Sequence, residues 1–239
     1  MTILLFLLLI SADLHADYRS EIYYAYVNNR MEQWKNVIDR MEAMKRRTNE
    51  MTLELLNYQY GYIGYCLDFN KKDEAKEYFS LASGNIEILD KAGYKPSTMN
   101  AYKSAFYGFR ISFNKLSAPV NGSKSMDHAK LALELDKEDF LANVQYGYAR
   151  LNMPAAFGGS KKEALEFILN ARKIIEKNPA EKKENWNYLN LMILIAKTYE
   201  ALDDNKMARL TYEDILYIEP GFIYVRDQLY PELLKKINN

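Results

Sequence analysis

The sequence predicts an all-α fold, a solenoid (α-α superhelix) of about five helical hairpins with a capping helix at its C-terminal end. Three observations predict it. Glycine and proline are scarce, ten and six among 239 residues, which favours long helices over a sheet built from many turns. Apolar residues recur at helical spacing: over 208–216, Ala208, Tyr212, Ile215 and Leu216 share one face while Glu213 and Asp214 take the other. An aromatic–glycine–aromatic pattern also recurs, as YGY at 60–62 and 146–148 and as FYGFR at 106–110, the self-similarity expected of stacked repeats.

The elements follow in order. Ile3 to Ile10 is an unbroken apolar run, followed by small and polar residues with Ala12 and Ala16 as candidate cleavage positions. Residues 1–16 therefore read as a secretory signal peptide, although no Lys or Arg precedes the run. The run is far short of the roughly 20 residues that a membrane span requires. Residues 17–239 read as a single repeat domain. Its hairpins span 17–47, 51–91, 97–135, 138–178 and 185–220, and FIYVRDQLYPELLKKI closes the stack. Pro231 must kink or split that last helix, because proline removes a backbone donor and clashes with the preceding turn. Ser97 and Ser160 are suitable N-caps. The linker of the second hairpin reads as longer than usual. Enlarged inter-helix loops are expected at LSAPVNGSKSMDHA in the third hairpin and LNMPAAFGGSKKEA in the fourth. The basic run MKRRTNE at 44–50 suits a helix C-terminus, where cations complement the dipole.

Composition narrows the function. Thirty-two basic and 32 acidic side chains leave no net charge, which argues against a nucleic-acid binder. The single cysteine, Cys66, excludes an intrachain disulfide and reads as a small apolar core residue. Of the two histidines, His15 lies in the leader, so His128 stands alone and assembles neither a metal set nor a nucleophile–base pair. The carboxylate pairs Asp203/Asp204 and Glu138/Asp139 fall at helix ends, where capping or solvation is the ordinary role.

The stretch IAKTYEALDDNKMARLTYEDILYIEP at 195–220 resembles the tetratricopeptide repeat through Ala196, Tyr199, Ala208, Tyr212 and Pro220, with Ile215 where that family usually has alanine. ALELDKEDFLANVQYGYARL at 132–151 is similar to the junction of two such repeats, with Lys137 in place of the usual proline and Asn143 in place of the usual tryptophan. The resemblance places Gly61, Gly108 and Gly147 where the family keeps a small residue so that two helices can cross closely. It also implies a concave groove lined by first-helix residues, here Tyr58, Tyr62, Tyr65, Tyr102, Phe109, Phe113, Tyr148 and Lys197, as the surface for a protein or peptide partner. Core packing is the competing role for these aromatics. The Pro-then-Gly-Gly loop of the fourth hairpin resembles exported bacterial proteins of this class, among them the T component of periplasmic TRAP transporters. That resemblance implies a periplasmic binding scaffold, or one that handles a small ligand.

The same loop presents Gly158, Gly159, Ser160, Lys161 and Lys162 at a helix start, where free N–H groups and lysines can hold an anion. Turn geometry, capping and solvated lysines are the simpler account of it and the preferred one. The expectation is a non-catalytic scaffold, with no cofactor or metal, that binds a protein or peptide in the periplasm or cell envelope. The alternative is a periplasmic small-ligand-binding accessory protein of a transporter.

Overall fold

Helix boundaries are written in capping residues and left-handed turns. The computed structural model describes residues 18–238, so the signal-peptide reading of 1–16 lies outside them. No strand occurs among the described residues. The first hairpin pairs α1 (18–27) with α2 (Met31–Glu42). The second pairs α3 (Asn49–Asp68) with α4 (Lys72–Lys91), and the third α5 (Pro96–Phe113) with α6 (Ala118–Leu135). The fourth pairs α7 (Phe140–Asn152) with α8 (Lys161–Glu176). A single turn, α9 (Pro179–Lys182), leads into the fifth, α10 (Trp186–Ala201) with α11 (Asn205–Ile218). The chain ends in α12 (Tyr230–Asn238).

Thr48, Asp139, Ser160, Asn185 and Asp204 each accept a hydrogen bond from a first-turn N–H of the helix that follows, relieving donors that no carbonyl reaches. Asn29, Asn70, Gly93 and Asp203 take positive φ just past helix ends and reverse the chain. Arg47 donates to the Met41 and Glu42 carbonyls at the end of α2, the helix-end role expected of the basic run.

Four local expectations need correction. Ser97 is not an N-cap: α5 starts one residue earlier, at Pro96, whose fixed φ suits a first turn, and the Ser97 hydroxyl donates to the Ala132 carbonyl instead. The third hairpin has no enlarged loop. A short 3-10 turn at Lys115–Ser117 runs directly into α6, so Pro119, Gly122, Ser123 and Lys124 are helical. The extra residues of the second hairpin lengthen α3 to 20 residues, and its turn is only three residues, 69–71. The fourth hairpin does carry its loop, around a 3-10 turn at Ala155–Phe157. Pro231 does not break the last helix: helical residues 223–224 run through a π turn at Val225–Leu229 into α12, a local irregularity just before the proline.

The three glycines of the repeated pattern do different things. At Gly147 a Cβ would stand 2.6 Å from Ile168 Cγ1 and 3.0 Å from the Ala164 carbonyl oxygen, so α7 and α8 cross at contact distance there. At Gly61 a Cβ would stand 2.7 Å from the rings of both Trp34 and Trp186. At Gly108 it would meet nothing within 4 Å, so close packing does not explain that residue.

The Trp34–Trp186 pair shows how the solenoid bends. The rings meet edge to face at 5.0 Å, joining the first hairpin to the fifth. Trp186 Nε1 donates to Asn57 Oδ1 at 2.9 Å, and Asn187 Nδ2 donates to the same oxygen at 3.0 Å. Asn57 Nδ2 in turn donates to the Tyr102 hydroxyl and to Asn187 Oδ1. Arg19 of α1 donates to the carbonyls of Ala180, Glu181, Lys183 and Glu184 beside α9. Tyr26 packs on Trp34, Trp186 and Phe222, bridging the two halves of the core. The stack therefore curls until its ends touch, and aromatic rings fill its axis.

Candidate functional site

First helices of successive hairpins run side by side in the same direction. Thr98 at the start of α5 donates to Asp139, the cap of α7, and Tyr60 of α3 has its ring 5.8 Å from Tyr102 and 5.7 Å from Phe109 of α5. Gln145 of α7 donates to the Tyr60 hydroxyl. Trp34, Trp186, Tyr60 and Tyr102 pack at the centre of this face, and the C-terminal ends of α3, α5, α7 and α10 form its rim.

This division sorts the predicted groove residues. Tyr58, Tyr62 and Tyr102 are 4%, 0% and 2% exposed, and they are core rather than partner-facing. The reason is geometric. Tyr62 points between α3 and α4, with its ring 5.0 Å from Tyr78 and its hydroxyl on Glu74. Tyr102 lies under the closed axis, bonded to Asn57, and Tyr58 packs on Trp34 with its hydroxyl on Glu54. Burial raises the hydroxyl pKa of all three, so they stay protonated. Tyr65, Phe109 and Phe113 are half-buried, Tyr148 is 50% exposed and Lys197 is exposed. Of these five, Tyr148 and Lys197 are the exposed ones, whereas the Phe113 ring packs on Phe79 of α4 and Phe109 on Tyr60 and Phe106. The Tyr65 ring lies 4.8 Å from that of Phe69, which the sequence reading missed and which is exposed.

Asp68 was also missed, because an aspartate at a helix end reads as merely solvated. Surrounding protein raises its pKa by desolvation, and the Lys197 ammonium partly offsets that. Tyr148, though half exposed, has its hydroxyl pKa raised by desolvation and then by the Asp68 charge, and Tyr26 feels Asp68 too. Asp68, on the second hairpin, is thus coupled electrostatically to Tyr148 of the fourth and to Lys197 of the fifth. Lys197 Nζ also lies 5.9 Å from the Tyr224 ring centre, beside an open recess of about 280 Å³ lined with Glu200, Tyr212, Leu229 and Glu232.

The fourth-hairpin loop is a second feature. Gly158 has φ +93°, and a Cβ at Gly159 would collide with the Met153 carbonyl, so both glycines are required by the turn. The Ser160 hydroxyl accepts from Glu163 N, and Lys161 Nζ donates to the Ala201 carbonyl at 2.6 Å. Lys162 has no bonded partner among the described residues. Arg150 spans the loop, donating to the Gly158 carbonyl and pairing with Glu163. An open recess of about 320 Å³ is lined with Leu151, Met153, Ala155, Gly159, Ser160, Lys161 and Lys162.

The remaining chemistry-bearing groups pack. His128 stacks on Tyr107 at 5.4 Å and bonds Asn100 Oδ1, and burial followed by nearby Lys103 lowers its pKa. Burial pushes the Cys66 thiol up to about 12, so almost no thiolate exists at neutral pH. No cluster of three or more His, Cys, Asp or Glu able to hold a metal occurs among the described residues.

The fold defines a class: an all-α helical-hairpin solenoid. No protein-family model matches the chain, and no curated protein matches it. Among solved structures it is similar to the HusA haemophore from Porphyromonas gingivalis, with a TM-score of 0.63 and 16% identity over 80% of this chain and 93% of that one. At that identity the likeness concerns the fold. No helix among the described residues is long and apolar enough to cross a membrane.

Proposed function

We propose that this chain is an exported, non-catalytic binding protein of the tetratricopeptide type that takes a protein or peptide segment on its concave rim. The observation that carries this reading is Tyr148. A tyrosine 50% exposed, with its hydroxyl in the field of Asp68, which is in turn coupled to Lys197, offers a flat apolar face with a polar end. Tyr65, Phe69 and Phe109 add partly exposed aromatic surface on the second and third hairpins. Aromatic anchors of this kind supply contact area with few rotamers to freeze. The rim is open, which suits an extended segment better than an enclosed small molecule. Export rests on the apolar leader, with the periplasm or cell envelope as the destination.

Affinity capture from an envelope extract tests the reading, with the chain from Asp17 onward as bait and Tyr148→Ala/Lys197→Glu as control. A partner lost in the variant supports it. A partner retained by the variant moves the site elsewhere.

The likeness to a haemophore favours a second reading, in which the rim takes a planar amphipathic ligand such as haem. Titration with ferric haem distinguishes the two. A saturable absorbance change, abolished by Tyr148→Ala, supports the ligand reading, and an unsaturable one counts against it.

A further inference from the structure

The edge of the solenoid where first helices turn into second helices has an unusual surface at the third and fourth hairpins. Leu116 and Val120, at the α5–α6 turn, are 91% and 61% exposed, and Phe157, at the α7–α8 loop, is 78% exposed. Both turns lie on the same edge, because α5 and α7 run parallel from the Thr98–Asp139 bond at their starts. These side chains stand on protruding turns. None is needed for the core, since each is mostly in solvent, and their exposure costs hydration free energy in the isolated chain.

Charge around the tips is one-sided. From Lys91 to Met126 the sequence has six Lys or Arg and no Asp or Glu, and from Phe140 to Lys162 it has three and none, in a chain whose total charge is zero. Some of these cations are engaged away from the tips: Lys103 pairs with Asp90, and Arg150 with Glu163. Lys115, Lys124 and Lys162 are exposed and make no ion pair among the described residues, the Lys124 ammonium lying 5.5 Å from the Tyr107 ring centre. Asp203 and Asp204 on the next turn, and Asp73 on the one before, bound the patch on either side.

Protruding apolar tips with unpaired lysines on the same two hairpins fit a surface that yields to them and is negatively charged. A protein partner would need a matching pocket for each separated tip, whereas a lipid interface does not. We propose that this edge seats on an anionic lipid surface, with Leu116, Val120 and Phe157 entering the boundary between headgroups and acyl chains and Lys115, Lys124 and Lys162 on headgroup phosphates. The anion affinity expected of the 158–162 loop then belongs to the lysine at position 162 and to a headgroup.

Vesicle flotation tests this, using the chain from Asp17 onward, which holds every residue of the described fold. Vesicles of about one-third phosphatidylglycerol in phosphatidylcholine are compared with phosphatidylcholine alone. The expected result is flotation with the anionic vesicles only, weakened about tenfold or more by Leu116→Ser/Phe157→Ser and by Lys115→Glu/Lys124→Glu/Lys162→Glu, and reduced by salt. All five positions are exposed, so circular dichroism and thermal melting should match the parent. Absence of flotation, equal flotation with neutral vesicles, or undiminished flotation of either folded variant overturns the proposal.

Discussion

At the scale of single residues, the repeated glycines separate packing from motif. Gly147 and Gly108 sit in the same aromatic frame, yet a Cβ collides with Ile168 and the Ala164 carbonyl at the first and meets nothing at the second. Alanine at 147 forces α7 and α8 apart, with an expected loss of about 1–3 kcal/mol. Alanine at 108 removes only the conformational freedom of a helical glycine and is expected to stabilise by about 0.5–1 kcal/mol. Urea unfolding of both variants checks this, and a loss at both positions would show that α5 is tighter than its open surroundings imply. The sequence alone placed all three glycines in one role. What separates them is which side chain of another helix stands opposite, information that no local window contains.

At the scale of elements, short polar links hold the fourth hairpin together and tie it to the fifth. Tyr146 and Arg150 of α7 bond Glu163 of α8, and Arg172 and Tyr188 bond Glu176. Desolvation opposes ionisation of both glutamates, but these bonds prevail and hold both pKa values below the usual carboxylate range. A depressed native pKa stabilises the fold above the unfolded value of 4.5 and loses that contribution as pH falls through the native value. The melting temperature should therefore fall as pH drops below about 4.5, and Glu163→Gln should flatten the fall while lowering stability at neutral pH. An unchanged acid limb in the variant would place the acid sensitivity elsewhere.

Element order and the five hairpins were legible, because helical periodicity and capping residues are local signals. The third-hairpin loop was not. Pro119 and Gly122 read as loop residues, but proline fits the first turn of a helix, and the surroundings of Gly122 leave its helix unhindered.

At the scale of the whole molecule, closure decides what the concave face can do. Resemblance to an open superhelix assigns Tyr58, Tyr62 and Tyr102 to a groove, whereas the meeting of Trp34 with Trp186 turns the axis into core and leaves the rim. The sequence could not show this, since it depends on residues from α2 and α10 converging on α3. Asn57 holds that convergence. Asn57→Ala leaves the Trp186 indole N–H without its acceptor, with an expected cost of about 1–3 kcal/mol. Hydrogen exchange should then rise in α1 and α10 together. Faster exchange confined to α3 would mean that closure is held by other contacts.

The central claim is that a partner sits on the concave rim. The most direct measurement is site-specific photocrosslinking in the envelope fraction, with a benzophenone side chain at position 148 and, as control, at Tyr217, which is 89% exposed on the second helix of the last hairpin. The account predicts a discrete crosslinked product from position 148 and none from 217. A product from 217 alone, or none from 148 in folded protein, would contradict it.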